Sequence, residues 1–162
     1  MNRFSAVFVT MTLSAGTAFA QTGSVDLNSA SAEKIIAGCK QLSLTNQQRQ
    51  AIAVYDKGGN LVAALRMDGL GAGIMAFSEA KAKAVAHWGF STAQMEQAIT
   101  DTPGFADAPH IVTVAGGVPV FSSDGRNFIG SVGVSGAAPV DDAACAVAGI
   151  EAAGLSAQRI RD

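Results

Sequence analysis

Apolar residues recur at three- and four-residue spacing in SAEKIIAGCKQL, Ser31 to Leu42, where Ile35, Ile36, Cys39 and Leu42 share a face; an amphipathic helix is predicted. The next segment, AIAVYDKGGNLVAALRM, changes character. Its two apolar runs, Ala51 to Tyr55 and Leu61 to Met67, flank Asp56-Lys57-Gly58-Gly59-Asn60, and this arrangement predicts a β-hairpin. A glycine-rich link, Asp68 to Gly73, leads into FSEAKAKAVAHWGFST, Phe77 to Thr92. Laid on a helix, Phe77, Ala84 and Trp88 fall on one face with Glu79 and Lys83 opposite, and Lys81 lands in the middle of the apolar face. An ammonium group aimed at a core needs a partner, and the pattern leaves open what that partner is.

Ser91-Thr92-Ala93-Gln94 matches a capping box, so a further helix is expected from there to about Thr100. Residues 101–109, with Pro103, Gly104 and Pro109, read as a loop. Strand signals return in HIVTV, VPVFS and NFIGSVGVS, with Ser123-Asp124-Gly125 as a hairpin turn. From Pro139, VDDAACAVAGIEAAG reads as a last helix, with Pro and two acids in its first turn. The order is helix, two strands, two helices, three strands, helix. Hairpins within both strand groups and the lack of consecutive β-α-β crossovers indicate an α+β domain with an antiparallel sheet, not a doubly wound one.

The first residues change the picture of where such a domain works. MNRFSAVFVTMTLSAGTAFAQTG has a cationic Arg3, an apolar run from Phe4 to Ala15 and Ala18-Phe19-Ala20 in the arrangement that signal peptidases accept. Residues 1–20 are therefore expected to be a secretory signal peptide, and residues 21–162 a single domain in the periplasm or outside the cell. The apolar run is too short and too rich in Ser and Thr for a membrane anchor. Lys and Arg number 11 against 13 Asp and Glu, without basic clusters, which argues against nucleic acid or anionic membrane as a partner. Two cysteines, Cys39 and Cys145, fall in a compartment that allows disulfides. Cys145 begins a stripe of small residues, Ala148, Gly149 and Ala152, that lets another helix approach closely. If the terminal helices pack together, a bridge would close a loop of roughly 100 residues and stabilise the fold by about 4–5 kcal/mol. Two unpaired buried thiols and a thiolate ligand to a metal or heme are the alternatives.

Taken in sequence, AVYDKGGNLVAALRMDG, the glycine-rich link, EAKAKA, AGGVPV and DGRNFIGSVGVSGAAPVDDAACAVAG resemble the GlcG/HbpS family of heme-binding and heme-degrading proteins. That family also supplies the C-terminal domain of some cobalamin adenosyltransferases. The likeness runs in order through nearly all of residues 30–153. It implies a profilin-like α-β-α sandwich with a five-stranded antiparallel sheet, assembly into homo-oligomers, and terminal helices close enough to suit a Cys39–Cys145 bridge. The family usually has Thr after its KAR or KAK run, where this chain has Ala84.

Lys81 matches the recurrent lysine of that pattern, which implies an ammonium meeting a ligand carboxylate such as a heme propionate. The plainer reading is a stem covering apolar surface, with the head reaching water or pairing with Asp68. Asp68 either caps the glycine link or orients Lys81. Arg66 offers a bidentate clamp for a carboxylate, or a solvated strand arginine. His87, beside Trp88, is the candidate axial ligand for heme iron, with a surface histidine as the alternative; His110, which heads the next strand segment after a Pro, is a lesser axial candidate. The two histidines are far apart and form no zinc motif. GLGAG lacks the dinucleotide spacing, and GVSGA around Ser135 resembles a nucleophile elbow only loosely.

Two functional readings follow. One is an exported heme-binding protein engaged in heme or iron handling or degradation, with Lys81, His87 and Trp88 near the tetrapyrrole. The other is a non-enzymatic oligomeric accessory or sensing module that binds a small carboxylate, a cobalamin-like compound or a partner protein. Catalysis by Lys81 with Asp68 as base and orienter lacks a second placeable group.

Overall fold

The structure, a computed structural model, describes residues 26–160. The predicted signal peptide lies outside the described residues. Helix α1 (Ser29–Thr45) starts where the Asn28 side chain accepts the Ser31 N–H, and it leads to strands β1 (Ala51–Asp56) and β2 (Leu61–Arg66). The Asp56 carboxylate accepts the N–H groups of Gly58 and Asn60 and fixes the hairpin turn, with Gly59 at φ 78°. Helix α2 (Ala72–Trp88) ends on Gly89 in the left-handed conformation, whose N–H closes on Val85 O. The expected capping box starts helix α3 (Thr92–Asp101), which passes into a 3₁₀ turn over Pro103–Asp107. Strands β3 (Gly117–Phe121) and β4 (Phe128–Ser135) follow, then helix α4 (Pro139–Ala152).

The strands form an antiparallel sheet in the order β2-β1-β4-β3. Period-two alternation divides them between two helical layers. Ile52 and Val54 of β1, Val132 and Val134 of β4, and Val118 and Val120 of β3 form one core with Ile35, Cys39, Cys145 and Ile150 of α1 and α4. The alternate residues face α2: Ala53 and Tyr55 pack with Ala82, and the Ser131 hydroxyl donates to Ala82 O. At Gly133 an added Cβ would collide with the backbone of Ser78 and Ala82, so α2 rests directly on β4 because that residue has no side chain.

The sheet has four strands where five were expected. HIVTV does not join it: His110 sits at φ 62° and Gly116 at φ 124°, and the chain between these two turns runs outside the sheet. Its Ile111 and Val112 instead pack on Ala84, Val85 and Met95, closing the seam between α2 and α3. Apolar residues of a covering loop and of a short buried strand have the same sequence pattern, and backbone turns decide between them.

Cys39 and Cys145 form a disulfide, with Cα atoms 4.6 Å apart and a sequence separation of 106. The small-residue stripe explains the approach: an added Cβ at Gly149 would press on Ile35 O and Cys39 Cβ. Free thiols and thiolate ligation are thereby set aside for both cysteines. Among the described residues no helix is long and apolar enough to cross a membrane.

Candidate functional site

Lys81 is 1% exposed, and its ammonium donates to Asp142 Oδ2 at 3.1 Å and to Val134 O at 2.9 Å. Its partner is therefore the first-turn acid of α4, not Asp68. Asp142 is held in turn by Gln50 Nε2 at 2.9 Å and by the Ala137 N–H at 3.0 Å, both donating to Oδ1. Ser43 donates to Gln50 Oε1 at 2.5 Å and lies 3.3 Å from Cys145 Sγ. A buried polar chain thus runs from the disulfide between α1 and α4, around the end of the sheet, to the ammonium on α2. Every member has a partner, as burial requires. Burial pushes the Lys81 pKa below its ordinary 10.5, and the charge and hydrogen bond of Asp142 oppose that shift.

The Gly116-Gly117 pair makes room for this arrangement. A Cβ on Gly116 would lie 2.7 Å from Lys81 Nζ and 2.9 Å from Asp142 Cβ; on Gly117 it would meet Thr92 and Lys81 O. The two glycines also line a groove of about 640 Å³ with Ser91, Gln94, Val147 and Ser156. Phe77, 36% exposed, lies over the Lys81 ammonium at 4.8 Å from its ring centroid. Lys81 consequently reaches no open surface, and its charge serves to join α2 to α4.

The exposed end of α2 carries different chemistry. His87 Nδ1 lies 2.7 Å from Lys83 O. A carbonyl only accepts, so Nδ1 carries the proton and the lone pair of the neutral ring is on Nε2. The imidazole of His110 stacks on that of His87, with centroids 4.1 Å apart and planes inclined by 21°. The two histidines that the sequence separates are therefore neighbours. Trp88 holds this approach in place: its Nε1–H donates to Pro109 O at 2.9 Å, and its ring packs edge-on against Phe105 at 5.0 Å and Phe90 at 6.4 Å. Trp88 nonetheless remains 37% exposed.

Arg66 and Asp68 lie elsewhere, in a cleft of about 470 Å³ between the end of α1 and the end of β2. Lys40, Gln48 and Arg49 share its lining. Arg66 Nη1 donates to Leu70 O, tying the strand to the glycine link. The five residues singled out from sequence thus occupy three places: a sealed ion pair, an imidazole–indole surface, and a cation-lined cleft. Gln50, Ser43 and Asp142 were not singled out, because isolated polar residues between apolar ones carry no pattern of their own.

The family description "Haem degrading protein HbpS-like" matches residues 27–151. The chain belongs to this HbpS-like family. It is 36% identical to Protein GlcG of Escherichia coli (strain K12) over 112 residues, which is 68% of this chain and 82% of GlcG. Among solved structures, HbpS superposes with a TM-score of 0.72 at 27% identity, covering 80% of this chain and 92% of HbpS. The PduOC:Heme complex superposes with a TM-score of 0.73, covering 83% of this chain and 100% of that one. At 18% identity this second likeness establishes the fold alone. Within the HbpS-like fold of this chain, the imidazole–indole surface is where a nitrogen lone pair, an exposed aromatic plane and free access coincide.

Proposed function

We propose that this HbpS-like protein is exported and binds heme at the exposed end of α2, with His87 as the axial ligand and Trp88 beside the macrocycle. The observation that carries this reading is the Nδ1–H···O=C bond from His87 to Lys83, which leaves Nε2 as the metal-binding atom and fixes the ring. Heme would supply redox-active iron and a flat apolar surface; the chain supplies one imidazole and an indole. Family membership and the heme bound by the PduOC relative add support. Lys81 acts as a positioning residue, holding α2 against α4 so that its last turn is fixed. The Cys39–Cys145 disulfide suits the oxidising compartment that the leader implies. A profilin-like sandwich and homo-oligomeric assembly belong to the same reading.

The test is titration of the mature protein with hemin, followed by the Soret band and by competition with apomyoglobin. A saturable, stoichiometric band that His87→Ala weakens by about tenfold or more supports the proposal. A non-saturating response, or a spectrum and affinity unchanged in His87→Ala, removes His87 from the site.

A second reading rests on the cleft that holds Arg66 and Asp68. With Lys40 and Arg49 its lining carries three cations against one acid, a composition that suits a small carboxylate. Calorimetry with small dicarboxylates separates the two readings, because Arg66→Ala would abolish this binding and leave the Soret titration unaffected.

A further inference from the structure

We infer that, in the heme-free protein, His87 and His110 together form a two-imidazole site for a divalent transition-metal cation, which competes with heme for His87 Nε2. The two rings are close but stacked, with their lone pairs in nearly parallel planes, so one ring must rotate before both meet a single ion. Two nitrogens bound to one metal at about 2.0–2.1 Å are no more than about 4.2 Å apart. The two ring centroids are 4.1 Å apart, and both residues are exposed, so rotation of the His110 ring out of the stack can carry one of its nitrogens to within that distance of His87 Nε2.

Three features assemble the pair. The Lys83 carbonyl selects the His87 tautomer that leaves Nε2 free to ligate, in the way that partners of metal-bound histidines do. Trp88 pins the carbonyl of Pro109, and so places His110 over His87. His110 itself adopts φ 62°, an unusual conformation for a residue other than glycine, and this turns its side chain back onto α2. Gly59 of the β1–β2 turn borders the site near His87 Cε1.

Among the described residues no cluster of three or more His, Cys, Asp or Glu side chains is gathered for a metal. The described residues therefore contribute two nitrogens, and water would complete the coordination. Imidazole nitrogen with open positions suits copper(II) best among first-row divalent ions, with zinc and nickel weaker. Imidazole must be neutral to ligate, so affinity falls in acid.

The experiment uses the mature, untagged protein with copper(II), read by paramagnetic resonance, by equilibrium dialysis, and by quenching of Trp88, the sole tryptophan of the sequence. The expected result is one copper per chain with nitrogen hyperfine structure from two imidazoles. His87→Gln and His110→Gln should each weaken binding by at least about tenfold, the scale of losing even an outer partner of a metal ligand. Copper retained unchanged by His110→Gln, or a spectrum with a single imidazole nitrogen, would overturn the site. His110→Gln should keep heme uptake, so failure of the heme reading and failure of this one are separable. Circular dichroism confirms folding of both variants, whose replaced side chains are exposed.

Discussion

The ammonium of Lys81 on α2 and the carboxylate of Asp142 on α4 meet at 3.1 Å, both shut away from water, although 61 residues separate them in sequence. Such a pair adds little net stability over an apolar substitute but is costly to break, because either partner alone is a buried, uncompensated charge. Lys81→Met should therefore destabilise by about 3–5 kcal/mol. The double variant Lys81→Met/Asp142→Asn should regain most of that loss, since Asn still offers an oxygen to Gln50 and Ala137. Urea midpoints of the wild type, Lys81→Met, Asp142→Asn and the double variant measure the coupling, and additive losses would show that the pair does not act as a unit.

Alkali should relieve part of the cost of this pair. The folded pKa of Lys81 is lowered, chiefly by burial, so the native state holds that proton less tightly than the unfolded chain does. The penalty is complete below the folded pKa and shrinks as pH rises through it toward 10.5. Relative to the double variant, the wild type should gain stability as pH rises from the lowered folded pKa toward 10.5. A flat difference across that range would show that Lys81 keeps an ordinary pKa.

How much of this could be read from the chain depended on the range of the interaction. The Asp56–Asn60 turn and the Ser91 capping box are local, and both form where their residues predict. The disulfide, although long-range, was marked by two cysteines and a small-residue stripe. The Lys81 partner was not marked, since Asp68 is nearer in sequence and Asp142 looks like an ordinary first-turn acid. His110 was assigned to a strand because nothing in HIVTV discloses the positive φ that carries its ring to His87. The glycines of GGVP were legible as part of a family pattern, but their reason, the space they leave for an ion pair, emerges only in three dimensions.

Two glycines of the same chain should respond to alanine in opposite directions. Gly133→Ala puts a methyl group into the backbone of α2 at Ser78 and Ala82, and neither partner can yield without lifting the helix from the sheet. A loss of about 2 kcal/mol or more is expected, on the scale of overpacking. Gly73 lies in the first turn of α2 with nothing within 4 Å of an added Cβ, so Gly73→Ala should stabilise by about 0.5 kcal/mol. Thermal melts of the two variants check both signs.

The Cys39–Cys145 bridge closes most of the domain into one loop, so its main effect falls on the unfolded chain. Reduction, or the Cys39→Ala/Cys145→Ala variant, should lower the unfolding free energy by about 4–5 kcal/mol. Urea unfolding with and without reductant measures this directly. An unchanged midpoint would mean that the reduced chain is already constrained to a similar degree by the contacts of α1 with α4.

Trp88 connects the histidine pair to the fold through one hydrogen bond and a set of ring contacts. Trp88→Phe keeps an aromatic ring against Phe105 and Phe90 but removes the donor to Pro109 O. The net loss in stability should be modest, about 0.5–1.5 kcal/mol, because the freed carbonyl lies in an exposed loop and can bind water. Its local effect should be larger, since that bond places His110 over His87. Proton resonances of the two imidazoles should lose the mutual ring-current shifts that stacking at 4.1 Å produces. Copper affinity should fall with them, and the Soret titration should change less, because His87 keeps its own bond to Lys83 O. Imidazole resonances that stay unshifted in Trp88→Phe would show that the 109–110 backbone holds the pair without Trp88, and would move the source of its organisation to the turn at His110 itself.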